Sequence, residues 1–435
     1  MAYSDDITAL NPDHLYTFDG NSNDSVGSAN GSNTTISFTN AAIARDATNC
    51  ATTTALTSRI DIPSTTDING SLSQKTVAGW YQTTALQTSL VGIYREGGDG
   101  VSTPLWQLVL CLGNTLMYEA IDSFIVQVVG SDPLVANRTY HICATFEGSS
   151  NANEIKLYID GVQQTIENPD PPAPGSASIG SRSQPQFGDA SGYYSGIGGA
   201  QILGGLSAAV DGKYQYWATF SGSDAVLTDN EIRQTLFERG ALADFTISTD
   251  TEANMQTALD AITDSQGNSP CCIEVEAVTG GGDFTLTSDK VFDSAASIHF
   301  RYNGTSDTLT IVNIDDTQMG NASIGAAPFG GSITIVDRQT LTVTVKDLDT
   351  NTAISGARVF IKADTGGPLA AGTVIMNTTT NGSGVATATF DYTSDQPIIG
   401  YVRKGSSSTY YKEQSISGPL TSTALNATVL MEVDE

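Results

Sequence analysis

Four aromatic residues stand where sugar-binding chemistry could use them. Tyr193 and Tyr194 lie in a Gly/Ser-rich stretch, Tyr94 sits beside Arg95 and Glu96, and Trp106 lies within an apolar run. A sugar ring stacks its C–H face on an aromatic ring and hydrogen-bonds its hydroxyls to Asp, Asn and glycine-rich backbone, which this chain has in quantity. Tyr94, Trp106, Tyr193 and Tyr194 are therefore the carbohydrate-binding candidates. Trp80 and Trp217 lie in strand-like runs and read as core residues.

Catalytic chemistry finds less to work with. Glycoside hydrolysis needs two carboxylates roughly 5–10 Å apart. The closest candidate, Glu274-Val275-Glu276, lies outside the N-terminal strand region and reads as outward-facing strand residues. His14, His141 and His299 each sit in an alternating, strand-like run, and no Gly-x-Ser-x-Gly elbow accompanies them. Gly97-Gly98-Asp99-Gly100 and Gly280-Gly281-Gly282-Asp283 lack the Lys-Ser/Thr of a phosphate loop and read as turns. No catalytic residue is assigned, and the expectation is a protein that is not an enzyme.

The elements that would carry these residues are mostly strands. Thr76–Tyr81, Leu105–Leu110, Phe124–Val129 and Tyr140–Phe146 are apolar, strand-like runs, and the alternation among them is the period-2 signature of a half-buried strand. Asp160-Gly161 after Ile155–Ile159 predicts a hairpin turn. Residues 168–198, rich in Pro, Gly and Ser without periodicity, predict a long surface loop. Thr228-Asp229-Asn230-Glu231 is a capping box that opens a short helix with Ile232, Leu236 and Phe237 on one face. A second helix is expected after Thr251, with Met255, Leu259 and Ile262 inward. Short strands return between 273 and 337. Beyond 341, about seven short strands in roughly a hundred residues is the count of an immunoglobulin-like sandwich.

Composition limits the partners. Of 435 residues only 19 are Lys or Arg against 47 Asp or Glu, a formal charge of −28. Nucleic acid and anionic membranes need clustered cations, so neither is expected as a partner. No run approaches the ~18 apolar residues of a membrane span. Met1-Ala2-Tyr3-Ser4-Asp5-Asp6 carries acids where a secretory leader has Lys or Arg, so no leader is expected. Five cysteines, two of them adjacent, suit buried thiols better than a disulfide framework or a zinc site.

Taken in order, His14–Asp24, Thr76–Trp80, Thr139–Phe146 with Leu157–Gly161, and Tyr216–Phe220 through Ile232 resemble a laminin-G-type, concanavalin-A-like domain spanning residues 1–243. That resemblance implies a jelly-roll fold shared by lectins, hydrolases and adhesion modules. It also implies a Ca²⁺ site, whose early positions match Asp19, Asn21 and Asp24. The acid that the family places late falls near Tyr214-Gln215 here, a departure that leaves the oxygen set short. The Glu-x-Asp-x-x-Glu run of the family's hydrolases has no counterpart. Residues 338–435 resemble the immunoglobulin-like sandwich appended to tailed-phage virion proteins, through Val345–Thr350, Ile354–Val359, Thr380–Ala386 and Tyr401–Gly405.

The expected fold is all-β and multidomain: an N-terminal concanavalin-A-like jelly-roll sandwich (1–243), a small middle α+β module (244–337) and a C-terminal immunoglobulin-like β-sandwich (338–435). The resemblances imply a virion structural protein, a capsid decoration or head or tail appendage. Its implied partners are other virion proteins, further copies of itself and host-surface glycan. A free glycan-binding adhesin is the alternative, with a polysaccharide depolymerase behind it.

Overall fold

The computed structural model describes residues 2–54, 58–63, 74–84, 91–96, 105–110, 115–121, 125–147, 155–170, 185–188, 212–263, 269–290, 297–314, 325–405, 409–422 and 425–434. They form several β-sheets with three helices: α1 (Tyr3–Thr8), α2 (Glu231–Glu238, a π-helix) and α3 (Glu252–Ala261). The chain divides into two compact units. One comprises Met1–Thr246, Gln266–Glu274 and Asp293–Arg301; the other comprises Ile247–Ser265, Val275–Phe292 and Tyr302–Glu435.

The first unit holds a jelly-roll sandwich. One sheet runs, in spatial order, Val162–Gln163, Ile155–Ile159, Thr139–Phe146, Lys75–Thr83, Gly212–Ser221, Asn49–Thr53 and Ile36–Ala41, with His14–Tyr16 also paired to Gly212–Ser221. The other runs Ile166–Asp170, Ile125–Pro133, Thr115–Ile121, Leu105–Leu110, Val91–Glu96, Pro185–Gly188, Arg59–Asp61 and Ser32–Thr34. Between them lies one apolar core, in which Val77, Ile142, Phe146, Leu157 and Trp217 from the first sheet meet Ile93, Leu108, Leu110 and Leu116 from the second. The expected loop over 168–198 is thus corrected in part: 168–170 and 185–188 are strands. Their pairing went unread because Pro185 opens a four-residue strand, the position at which a missing N–H is tolerated.

The central strands of the first sheet are buried on both faces. Every residue of Thr139–Phe146 is buried, and so are all but one of Lys75–Thr83. The face turned away from the core is covered by α1 and α2. Tyr3 packs edge-on to Tyr216, Trp80 Nε1 donates to the Tyr3 hydroxyl at 3.0 Å, and that hydroxyl donates to the Leu236 carbonyl. The capping box forms as expected, with Glu231 N donating to Thr228 Oγ1 (3.2 Å) and Thr228 N to Glu231 Oε2 (2.8 Å). The predicted hairpin turn joins Ile159 to Val162, with φ of 51° at Asp160 and 71° at Gly161, the left-handed pair that a two-residue turn of this hand requires. A further sheet of Ala243–Ile247, Cys271–Val275 and Ile298–Tyr302 lies, but for the last residue of each strand, in this unit.

The second unit begins with a stack of parallel strands. Phe284–Ser288, Thr308–Asn313 and the first part of Ser332–Asp347 pair in register, Phe284 with Leu309 and Leu309 with Ile333, so the chain returns every 24–25 residues. Apolar rungs recur (Leu286, Ile311, Ile335), as does a polar rung, in which Asn313 Nδ2 donates to Asp337 Oδ1 at 3.1 Å. This is the connectivity of a short β-solenoid, in which each turn buries the strand before it. Helix α3, expected after Thr251 and capped by its side chain, lies along the open edge. Gln256 both accepts from Thr287 N (2.7 Å) and donates to Thr287 O (2.8 Å), closing the edge as another strand would.

The strand Ser332–Asp347 does not stop at the stack. Its later residues pair antiparallel with Val385–Tyr392 and parallel with Leu425–Met431. Against that sheet packs a second, ordered Val374–Thr379, Arg358–Ala363, Gln396–Lys404, Tyr411–Leu420. Seven described strands thus enclose a core of Leu341, Val343, Val359, Ile361, Val402 and their neighbours. Position 337/338 falls inside the one sixteen-residue strand that both parts share.

Candidate functional site

The turn after the first strand concentrates acids and amides, and its geometry follows from one carboxylate. Asp24 is buried beneath Ser25–Ala29. Its Oδ1 accepts from the backbone N–H of Leu15 (3.1 Å), Val26 (3.1 Å) and Gly27 (3.0 Å); its Oδ2 accepts from Ala29 N (3.2 Å) and from His14 Nδ1 (2.6 Å). Burial works to raise the Asp24 pKa, but the His14 contact and the amides of Gly27, Leu15 and Val26 outweigh it and hold the carboxyl at about 2. Asn21 Oδ1 accepts from Asn23 N at 2.8 Å, an Asx turn.

Asp19 faces a different partner. Its Oδ1 accepts from Thr48 N and Oγ1 and from Asn49 N, which hold the segment leading into the strand Asn49–Thr53. The far end of the same segment is held by Gln215, one of the two residues near which the late acid is expected. Its Oε1 accepts from Ile43 N (2.8 Å) and Ala44 N (2.9 Å), and its amide donates to Asn49 O. The donor set therefore does not suit a hard cation. Asp24 has both oxygens saturated by N–H groups, Asn21 is turned into its own loop, and Gln215 offers a buried neutral amide whose oxygen is already taken by two backbone N–H groups. Among the described residues no three His, Cys, Asp or Glu side chains converge as a metal site.

The aromatic candidates separate. Tyr94 is a core residue and a correction to the sugar-platform expectation: it is fully buried and stacks on Trp217 at 5.9 Å and 23°. A bulge between Gly92 and Tyr94 breaks the two-residue period, so that adjacent Ile93 and Tyr94 are both buried in the core. Trp106 lies on the strand Leu105–Leu110, opposite Glu96 and Ala120. Tyr193 and Tyr194 lie outside the described residues. Trp80 and Trp217 are buried, as expected for core residues.

All three histidines are buried in strands. His141 packs edge-on to Trp80 and against Phe237, and burial holds its imidazole down at about 3. It is a neutral core group at physiological pH.

Two charged clusters escaped the sequence reading. Asp160, in the hairpin turn, is fully enclosed. Burial lifts its carboxyl to about 6, against the opposing pull of the Ser297 hydroxyl (2.7 Å), the Arg138 guanidinium (3.9 Å) and the His141 amide (2.9 Å). Glu274, expected to face outward, is instead buried and ion-paired with Arg301. Arg301 is itself buried and also donates to the carbonyls of Glu238, the last residue of α2, and Ala241 just after it. A guanidinium there satisfies carbonyls that a helix end leaves without partners. The partners in this cluster are far apart in sequence, which is why neither strand betrays it. Cys50, Cys143, Cys271 and Cys272 are buried free thiols, with Cys271 pushed up to about 12 by burial.

No protein-family model matches the chain. No curated protein matches it either. Among solved structures it is similar to domain 4 of AbnA, a GH43 extracellular arabinanase from Geobacillus stearothermophilus, in complex with arabinotriose, at 16% identity over 52% of this chain and 97% of that one, with a TM-score of 0.37. The botulinum neurotoxin serotype D binding domain matches at 13% identity over 60% of this chain and 54% of that one, TM-score 0.37. Trypanosoma rangeli sialidase matches at 14% identity over 52% of this chain and 32% of that one, TM-score 0.33.

Proposed function

We propose that the chain is a non-enzymatic binding and assembly protein of a bacteriophage virion, a capsid decoration or a head or tail appendage, whose first sandwich contacts host glycan. The observation that carries this reading is the strand Ser332–Asp347. One uninterrupted backbone closes the parallel stack and opens the seven-stranded sandwich, so no hinge peptide separates them. Stiffness of that kind serves a protein that must hold a position on a particle. The C-terminal resemblance to sandwiches of tailed-phage virion proteins supplies the particle.

The buried ionisable groups support the same reading. His14, Asp24, His141 and Asp160 are each enclosed and occupied in holding turns or packing the core, which leaves them unable to meet a substrate. The test is to incubate the purified chain with isolated host-surface polysaccharide. The expected result is retention on the polysaccharide with no new reducing ends. Release of reducing sugar overturns the non-enzymatic reading, and failure to be retained removes the glycan contact from it.

A further inference from the structure

The sheet formed by Val374–Thr379, Arg358–Ala363, Gln396–Lys404 and Tyr411–Leu420 turns Val359, Ile361, Ile398 and Val402 into the core. Alternation places the residues between them on the opposite face. There Phe360 lies directly across from Tyr401, Arg358 across from Arg403, and Lys362 across from Ile399. The two rings stack at 5.3 Å and 27°, and the Arg403 guanidinium sits 5.5 Å over the Tyr401 ring. Ile399 and Val374 add apolar surface that is 37% and 53% exposed.

Two features of this face are costly for an isolated chain. Like charges directly opposed across a strand pair repel. Yet Arg358 and Arg403 oppose each other; Arg358 Nε donates to the neutral Asn377 Oδ1 at 3.1 Å, and among the described residues none of Arg358, Lys362 and Arg403 is ion-paired. The aromatic pair is partly exposed beside them. Aromatic rings and Arg over a patch of apolar surface are the composition of an interface centre. The ring faces are taken up by one another and by Arg403, so the flat platform a sugar needs is missing and a protein partner fits better.

The charge of the chain says which protein. Residues 338–435 carry seven Lys or Arg and nine Asp or Glu, a balance of −2, so residues 1–337 carry −26 of the total −28. We infer that the Phe360–Tyr401 face is the docking surface for the acidic surface of a second copy of this chain. The contact is heterologous, one patch meeting a different patch, and so builds rings or filaments rather than a two-fold dimer. At about 0.15 M salt the Debye length is about 8 Å, which screens the repulsion between whole chains while leaving contact pairs effective.

Sedimentation velocity of the full chain at about that ionic strength, over a concentration series, tests this inference independently of any glycan contact. The wild type is expected to associate. Arg358→Glu with Arg403→Glu is expected to weaken association about tenfold or more at unchanged circular dichroism. Lys362→Glu, which leaves the aromatic stack untouched, is the second variant should the first misfold, and is expected to weaken association in the same direction. A wild type that stays monomeric throughout overturns the inference, and so does association that folded variants leave unaltered.

Discussion

A Cβ added to Gly79 would stand 2.6 Å from Trp217 Cδ2, because the indole of Trp217 lies flat on the Gly79 backbone within the first sandwich. This contact explains the glycine in Thr76-Val77-Ala78-Gly79-Trp80. Trp80 projects toward α1 and α2, and Gly79 leaves room on the other face for Trp217, which in turn stacks on Tyr94. Gly79→Ala is expected to cost about 1–3 kcal/mol through overpacking. Urea unfolding should show a lower midpoint at unchanged slope, and an unchanged midpoint would contradict the packing.

Asp24 predicts an acid-sensitive turn. Its folded pKa of about 2 lies below the ~3.9 of an unfolded Asp, so its contribution is fully present above pH ~4 and is lost as pH falls toward 2. The loss should amount to roughly 1–2 kcal/mol after allowing for solvent screening. In Asp24→Asn the stability difference from wild type should shrink across that window, as read by chemical denaturation at each pH. A difference that stays constant from pH 5 to 2 would show that the carboxylate charge is not what holds the turn.

Asp160 carries the opposite sign. Its folded pKa of about 6 lies above ~3.9, so the folded state binds the proton more tightly and stability falls as pH rises from about 4 to 6. The fall is expected to be about 2–3 kcal/mol. His141, held near 3, works against it by losing stability as pH drops below ~6.5. The difference between wild type and Asp160→Asn isolates the Asp160 part, since Asn tolerates the left-handed φ of that turn. Parallel stability–pH curves for the two proteins would refute the raised pKa.

Arg301→Met strands Glu274 in a buried site and leaves the carbonyls of Glu238 and Ala241 without their donor. The expected cost is about 3–5 kcal/mol. Adding Glu274→Leu removes the stranded charge and should recover a large part of it. If the double variant is as unstable as the single, the ion pair is not the origin of the loss.

Local signals were legible in the sequence and long-range ones were not. The Asp160-Gly161 turn, the Thr228–Glu231 capping box and the helix after Thr251 each depend on local sequence, and each forms as read. Asp24 misleads because the oxygens that suit a cation equally suit the amides of a tight turn. Tyr94 misleads because the bulge after Gly92 shifts its register. Glu274 looks outward until Arg301 arrives 27 residues later. The parallel stack is written in Phe284-Thr285-Leu286-Thr287-Ser288, Leu309-Thr310-Ile311-Val312-Asn313 and Ile333-Thr334-Ile335-Val336-Asp337. Each copy is five residues long and the intervening segments differ, so the 24–25-residue period is visible only once the register is known.

The most direct test of the virion role is to look for the chain on the particle. Under the proposed virion role, intact particles made by cells that express the chain should be purified away from lysate, and the chain should be quantified on them by mass spectrometry and sought by cryo-electron microscopy. The account predicts a fixed stoichiometry to the major structural proteins, with density that fits the parallel stack and the seven-stranded sandwich as one continuous body. Recovery of the chain only in the soluble lysate, with none on washed particles, would contradict it.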